Sequence, residues 1–408
     1  MEAALPRKGV LNPLGPSLGW ALSRILPGQE ETWLLRALLH RGPEAREAWD
    51  AFSSRIPDLP SLFRTDTGGR KRLSPLLLAS IRENDIPADP ALLTVLKTAY
   101  LREDLRVDAY RNIALSALSR LQGAEVPFLV LKGAALAETV YSDACLRHAH
   151  DVDLLVAEED QRRALEVLLQ GELRPDHSLP NGRGTVLKHP SDTPFLLLTR
   201  LFRHPFYLSD LQALRDRSRS VATPGLGTVP VLSAEDNLTH ALGHASYCPS
   251  RSTLQWVTDA WMILNTHEGI DWDRFLESVA ESRLELPVYM MLEYLKEELD
   301  APVPRYAVES SGRQAAMAGK LKRDVALYGA RAHRGRHPQL SGLREPGWRD
   351  RLDLLRWQLF PSREYLSWAY DHPSSLLLTA IYLMRPFTYG AEALKWWVLR
   401  RWRSWAGA

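Results

Sequence analysis

Two aspartates separated by one residue are the clearest candidates for chemistry in this sequence. Asp151 and Asp153 open the run Asp-Val-Asp-Leu-Leu-Val. Side chains alternate with a period of two along a β-strand, so both carboxylates are expected on one face. Mg²⁺ prefers oxygen ligands and needs few carboxylates when phosphates and water complete its coordination. The spacing therefore predicts a shared metal site, although an isolated pair is also typical of solvated acids at a strand edge.

A glycine turn upstream strengthens the metal-site prediction. The short apolar run 126–131 is rich in strand-forming residues, and it ends at Lys132-Gly133. A helical pattern begins at Ala134, and the free N–H groups at a helix start favour phosphate. Glycine allows close approach of the backbone. A phosphate cradle followed about eighteen residues later by two carboxylates is what metal-assisted phosphoryl-type transfer requires.

The elements that position these residues predict an α+β fold. Helical periodicity dominates the chain before residue 123 and again from Ser233, whose hydroxyl is predicted to cap a helix. Strands are predicted between these helical regions, at 126–131, 151–156, 185–188 and 194–199. The last two strands are joined by a turn at Pro190-Ser191-Asp192. The pattern indicates a small mixed sheet flanked by helices.

Composition excludes several classes of function. The 51 Lys and Arg residues nearly balance 49 Asp and Glu residues, so the net charge of +2 does not favour nucleic acid as a partner. Cys145 and Cys248 lack zinc-site spacing, and residues 1–20 lack a secretory pattern, so we expect a reduced, cytoplasmic setting. No Walker-type loop or Gly-x-Ser-x-Gly elbow is present, which leaves the P-loop and hydrolase classes without support.

The segment LKGAALAETVYSDACLRHAHDVDLLV resembles the signature of the uncharacterised nucleotidyltransferase family, a branch of the polymerase-beta-like superfamily. The bacterial members are similar at Leu131-Lys132-Gly133, Tyr141, Arg147 and the run 151–156. A weaker likeness extends from about Trp33 to Pro304. The resemblance implies transfer of a nucleoside monophosphate from a magnesium-bound nucleoside triphosphate to a hydroxyl-type acceptor on a small molecule or a protein. The acceptor is unknown.

The resemblance also assigns roles to residues. Gly133 and Ala134 would cradle the triphosphate, while Asp151 and Asp153 would hold Mg²⁺ or Mn²⁺ and so serve as the catalytic carboxylates. Two cations also match the signature. Lys132 and Arg147 would neutralise phosphate oxygens, or each is simply a surface cation.

One expected acid has no counterpart in the sequence. Family members carry a third carboxylate on a later strand, where it helps to deprotonate or orient the attacking hydroxyl. The counterpart here, Leu196 to Phe202, contains no acid. Asp192 either substitutes for it or serves only as a turn residue. The alternative to an enzyme is therefore a catalytically impaired palm that binds a nucleotide or a partner without transfer.

Two residues downstream also match the family pattern. His244 and, after a tryptophan, Asp259 either lie near the active cleft or pair helix to helix. His240 and His244 are four residues apart, as metal ligands on a helix can be, but without an HExxH motif zinc is not favoured.

Four regions are predicted along the chain. They are a helical N-terminal region at 1–122, a nucleotidyltransferase palm at 123–232, a helical domain at 233–332 and a C-terminal linker with a helical segment at 333–408. Within the last region, the loop 333–348 is predicted to be a linker or mobile, and Leu376 to Met384 is predicted to be a buried helix. The run KWWVLRRWRSW at 395–405 mixes aromatic and basic residues, so it either contacts a membrane surface or packs on the protein.

Overall fold

The computed structural model describes residues 22–66, 69–149, 151–179, 183–202, 206–246, 254–267, 269–332 and 374–388, together with isolated positions at 14, 18–19, 359–360, 363, 366 and 391. The predicted loop 333–348 and the run 395–405 lie outside these residues.

Helices make up most of the described chain. Before the sheet they are α1 (Gln29–Leu39), α2 (Pro43–Ser53), α3 (Leu59–Thr65), α4 (Ser74–Glu83) and α5 (Pro90–Gly123). Within and after the sheet region they are α6 (Lys132–Thr139), α7 (Gln161–Leu169), α8 (Leu211–Asp216), α9 (Ala234–Ser246), α10 (Gln255–Thr266), α11 (Trp272–Glu281), α12 (Glu285–Leu299), α13 (Arg305–Ala316), α14 (Lys320–Ala332) and α15 (375–388). Short 3₁₀ turns lie at Ser23–Ile25, Arg70–Leu73 and Ala144–Leu146.

Local sequence signals account for several helix ends. The first two helices are separated at Gly42-Pro43, because Gly42 has a φ of +64° and Pro43 begins α2. Asp89 caps α5 by accepting a hydrogen bond from the backbone N–H of Ala91 at 2.6 Å. The cap predicted at Ser233 is also present, since its hydroxyl oxygen accepts from the N–H of Asp236 at 3.1 Å.

A seven-stranded mixed sheet lies between the helical regions and confirms the predicted α+β class. Its strands are β1 (Leu129–Leu131), β2 (Val152–Leu155), β3 (Arg174–Ser178), β4 (Gly184–Lys188), β5 (Pro194–Leu198), β6 (Arg219–Thr223) and β7 (Gly227–Val231). The order across the sheet is β3-β4-β5-β2-β1-β7-β6. Strand β2 is parallel to β5 and antiparallel to β1, so two buried neighbours enclose it.

The two faces of the sheet belong to different cores. Val152 and Leu154 of β2 point into a core formed with α5 and α7. Leu155 points the other way, into the larger core that contains the helices before and after the sheet. Because side chains alternate along a strand, Asp153 lies on the same face as Leu155, toward that larger helical body. The division into domains at the boundaries given above stays a prediction.

Three strands were not predicted from the sequence. Every residue of β3, Arg-Pro-Asp-His-Ser, is exposed, and β6 is also an edge strand with mostly exposed residues. Edge strands of this kind show no apolar alternation, and proline is tolerated there because one side of the strand needs no partner. β7 has buried residues only in its second half.

The helix α15 corrects the sequence-based interpretation of its burial. Residues 375–388 are helical, as predicted, but Leu376 is 86% exposed and Leu383 is 66% exposed. Within the described part of the chain, no helix is both long enough and apolar enough to cross a membrane.

Candidate active site

The end of β1 and the middle of β2 bring Lys132 and Asp153 together. The antiparallel register places Leu131 opposite Asp153, so the next residue, Lys132, lies beside the aspartate. Its ammonium nitrogen Nζ is 2.8 Å from Oδ2 of Asp153. Asp153 is only 1% exposed, and its other oxygen, Oδ1, has no hydrogen-bond partner among the residues that the structure describes. A buried carboxylate with an open oxygen is costly unless a ligand completes it.

Asp151 lies just before β2, half-buried and within electrostatic range of Asp153. Burial raises the pKa of Asp153, Lys132 opposes this shift and the negative charge of Asp151 adds to it, so that the net direction is upward. Two neighbouring acids, one of them buried, repel each other, and a divalent cation would relieve that repulsion.

Gly133 lies close to the segment 147–151, which precedes β2. A Cβ atom placed on Gly133 would be 3.4 Å from the carbonyl oxygen of Asp151 and 3.5 Å from Nη1 of Arg147. Ala134 follows, fully buried, in the first turn of α6. The structure thus brings Lys132, Gly133, Asp151 and Arg147 to one place, and the roles assigned to them stay predictions.

Arg147 is held by a buried pair rather than exposed on the surface. Its Nε and Nη2 donate to the two carboxylate oxygens of Asp259, each at 2.8 Å, and the hydroxyl of Tyr141 donates to Asp259 at 2.9 Å. Burial lowers the pKa of Arg147, but Asp259 more than offsets this and the net shift is upward. The alternative that Arg147 is a surface cation is therefore wrong. We call these three side chains the Arg147 clamp.

Arg183 is a site residue that the sequence did not indicate. It precedes β4, and its positive charge lowers the pKa of Asp153, in opposition to burial. The next residue, Gly184, has a φ of +153°, and a Cβ there would overlap the carbonyl oxygen of Leu197, so only glycine fits at the start of β4. A sequence pattern does not reveal Arg183, since β4 reaches β2 only through β5.

His240 lies on α9, which contacts α6, and is fully buried. Burial holds its pKa well below the usual value, and three nearby cations lower it further. These cations are Lys132, Arg183 and Arg147. His240 is therefore a neutral imidazole in the same electrostatic environment as the aspartates.

Comparison with known proteins decides the family. The family described as "Uncharacterised nucleotidyltransferase" matches residues 65–300, which is more than half of the chain. The chain belongs to this nucleotidyltransferase family. No curated protein matches the sequence. Among solved structures, the chain is similar to the crystal structure of an antigenic nucleotidyltransferase-like protein from Paracoccidioides brasiliensis, with 16% identity, 50% of this chain and 96% of that chain covered, and a TM-score of 0.32.

The match to the nucleotidyltransferase family encloses the whole candidate site, from β1 to the Arg147 clamp. Asp259 lies on α10, and its carboxylate joins that helix to the segment between α6 and β2. Asp259 therefore forms a structural pair with Arg147. The pair also borders the candidate site, because Nη1 of Arg147 lies near Gly133.

Leu196 occupies the place beside Asp153 on the neighbouring strand. The parallel register of β2 and β5 pairs Asp153 with Leu196, which is half-buried. In the described residues, no group of three or more histidine, cysteine, aspartate or glutamate side chains is arranged to hold a metal ion. A leucine therefore stands where an acid from β5 would complete a three-carboxylate site.

The two other cleft candidates lie in different settings. Asp192 is in the exposed turn between β4 and β5, with a φ of +65°, and its carboxylate is 3.6 Å from Nζ of Lys188. This arrangement is typical of a turn residue. The ring of His244 packs edge to face against His240 on α9, with centroids 6.2 Å apart.

The residues present fit a divalent ion that arrives with phosphate. Asp151 and Asp153 would supply hard oxygen ligands, and Oδ1 of Asp153 has no hydrogen-bond partner among the described residues that would compete with a metal ion. Two carboxylates suffice for Mg²⁺ only where phosphate oxygens and water provide the remaining ligands. The site is therefore suited to a metal–nucleotide complex rather than to a permanently held metal ion.

Proposed function

We propose that this chain transfers a nucleoside monophosphate from a magnesium-bound nucleoside triphosphate to a hydroxyl-type acceptor. In this reaction the acceptor oxygen bonds to the α-phosphorus, the bond from that phosphorus to the bridging oxygen breaks, and pyrophosphate leaves. One observation carries the proposal: the buried Asp153, whose Oδ1 has no hydrogen-bond partner among the described residues, lies with Asp151 beside a glycine-opened helix start, in a chain of the nucleotidyltransferase family.

Each residue of the site has a defined task in the proposal. Asp151 and Asp153 would hold the metal, whose chemistry would be to offset the charge of the phosphates. The backbone at Gly133 and Ala134 approaches the phosphates, because no side chain at Gly133 blocks it. Lys132, which pairs with Asp153 in the free protein, would neutralise a phosphate oxygen if a metal ion compensated the charge of that carboxylate. Arg147 keeps its hydrogen bond to Asp259, and its Nη1 atom, which lies near Gly133, would contact a phosphate oxygen.

The experiment follows label from α-labelled triphosphates into candidate acceptors, with pyrophosphate release measured in parallel. We expect Asp151→Asn to lower transfer by at least about a hundredfold, because it removes a metal-ligand charge without changing side-chain size. Asp176→Asn on the exposed edge strand β3 is the matched control and should keep the wild-type rate. Transfer by Asp151→Asn at the wild-type rate would reject the proposed roles.

Leu196 favours a second candidate, a palm that binds a metal–nucleotide complex without transferring it. The hydroxyl proton of the acceptor needs a base, and the position beside Asp153 that would provide a carboxylate holds leucine. Calorimetry separates the two functions. Magnesium-dependent triphosphate binding without pyrophosphate release, across all acceptors tried, supports the binding protein, whereas release that depends on an acceptor supports the transferase.

A further inference from the structure

The helix α15 packs on the protein with one side only. Leu378 and Arg385 are buried, and Ile381 and Tyr382 are half-buried against the larger core. The ring of Tyr382 lies 6.1 Å from that of Phe360. This side attaches the helix to the rest of the chain.

The opposite side of α15 is apolar and exposed. Phe387 is 71% exposed and Leu383 is 66% exposed, and four further residues on this side are also exposed. The six residues are Leu376, Leu377, Ala380, Leu383, Met384 and Phe387. At the helical period of 3.6 residues they fall within an arc of about 120° that contains no polar side chain. We call this arc the apolar face.

No exposed charge interrupts the apolar face. The only charged residue in 375–388 is Arg385, and its side chain is on the buried side. A helix on the surface of a protein usually exposes charged side chains, and a contiguous exposed apolar patch marks an interaction site. We therefore expect the apolar face to be a binding surface for a partner.

The composition of the sequence that follows the helix favours one kind of surface as the partner of the apolar face. From residue 393 onward there is no acidic residue, and the run KWWVLRRWRSW at 395–405 contains four cations and four tryptophans. Cations attract anionic headgroups, and tryptophan is enriched at the membrane–water interface. An apolar helical face combined with such residues is the composition of an interfacial helix.

We propose that the apolar face of α15 docks on an anionic lipid surface, with the cations of 395–405 providing the electrostatic attraction. A protein partner, including a second copy of this chain, is matched less well. Specific protein interfaces rely on hydrogen bonds spread across them, and the apolar face offers no side chain that could make one. A lipid surface needs none, because apolar side chains enter the acyl boundary directly.

The test is sedimentation of the full chain with vesicles of phosphatidylcholine mixed with phosphatidylserine, and with vesicles of phosphatidylcholine alone. We expect binding to the anionic vesicles that weakens as salt is raised, and much weaker binding to the neutral vesicles. The double variant Leu383→Glu/Phe387→Glu should lower the partition coefficient on anionic vesicles by at least about tenfold, because two apolar anchors are lost.

The chain offers a matched control on α5. Leu101 and Leu105 are also four residues apart and are 60% and 72% exposed, so Leu101→Glu/Leu105→Glu adds the same charge at similar exposure away from the apolar face. This control should bind anionic vesicles as the wild type does, and circular dichroism should show both variants folded.

Three outcomes would overturn the proposal. The first is wild-type protein that binds neither kind of vesicle, or binds both equally. The second is a Leu383→Glu/Phe387→Glu variant that binds anionic vesicles no worse than the Leu101→Glu/Leu105→Glu control. The third is a wild-type dimer in light scattering that the same double variant converts to monomer, because the apolar face would then be an interface between copies of this chain.

Discussion

Two charge clusters lie near Gly133, and they are completed in different ways. In the Arg147 clamp, two parallel hydrogen bonds of 2.8 Å join Arg147 to Asp259, and Tyr141 adds a third at 2.9 Å. In the aspartate pair, Asp153 has one cation at 2.8 Å and an Oδ1 without a hydrogen-bond partner in the described chain. Asp151 adds a second negative charge nearby.

The difference separates a structural pair from a site that needs a ligand. Burial of a charge is tolerated when geometry and hydrogen bonds compensate for lost hydration, as they do in the Arg147 clamp. Oδ1 of Asp153 lacks that compensation in the described chain, so the burial of this carboxylate costs stability unless a cation arrives. Groups that are costly in the free protein and satisfied by a ligand are typical of functional sites.

The largest effect is expected from breaking the Arg147 clamp. Asp259→Ala leaves the Arg147 guanidinium buried without its partner, and we expect the free energy of unfolding to fall by about 3–5 kcal/mol. Urea denaturation of the variant measures this loss. The double variant Arg147→Met/Asp259→Leu should lose less than Asp259→Ala alone, because neither buried charge then remains.

An exposed ion pair gives the reference for this measurement. Arg305 and Glu309 are 3.0 Å apart on α13, with side chains 86% and 55% exposed. Glu309→Ala should change the free energy of unfolding by no more than about 0.5 kcal/mol. A loss in Asp259→Ala as small as this would contradict the structural role of the clamp.

A third acid beside the aspartate pair tests the other cluster. Leu196→Asp places a carboxylate in register with Asp153, where without metal it adds repulsion and loses apolar contacts. We expect a loss of about 2–3 kcal/mol without metal and partial recovery with Mn²⁺. Thermal denaturation with and without Mn²⁺ measures both.

The matched control for the added acid is Leu196→Asn, which has the same size as the aspartate and no charge. It should lose stability without responding to Mn²⁺, since an uncharged amide adds little to a divalent site. Equal responses of the two variants to Mn²⁺ would show that position 196 does not face the metal position.

The central strands could be predicted from the sequence because their burial leaves a strong pattern. The run 126–131 and the run 151–156 are apolar enough to identify β1 and β2, and glycine marks the turn between strand and helix. The edge strands β3 and β6 have no such pattern, because one side of an edge strand faces water.

The site was only partly predictable for a related reason. Asp151 and Asp153 are close in sequence, so strand periodicity alone relates them. Arg147 and Asp259 are 112 residues apart, and their contact depends on how α10 packs against the sheet region. A single sequence contains no signal for such a pair, and it gives none for Arg183 either.

The pH dependence of stability tests the effect of burial and of the nearby cations on His240. His240 has a depressed pKa in the folded protein because of burial and the nearby cations, so protonation favours the unfolded state. The stability that its neutral form contributes is present above about pH 6.5 and is lost as pH falls below that value. Relative to His240→Leu, wild type should lose up to about 1.4 kcal/mol per pH unit there. Chemical denaturation of both proteins across this range checks it, and parallel profiles would contradict the assignment.

Within the two clusters, the smallest effect on the free protein is expected at Asp153. Asp153→Asn removes the ion pair with Lys132 but also removes a buried carboxylate whose pKa is raised by burial and by Asp151. These terms oppose each other, so the free energy of unfolding without ligand should change by no more than about 1 kcal/mol.

The same variant should lose its response to ligand. At a magnesium–triphosphate concentration of about 100 times Kd, wild type should gain about 2.7 kcal/mol of stability, and Asp153→Asn should gain almost none. Asp176→Asn, on the exposed strand β3, should respond as wild type does. If Asp153→Asn instead lost as much stability as Asp259→Ala and kept the ligand response, the two clusters would have the same structural role, and the carboxylate pair would no longer support the proposed nucleotide site.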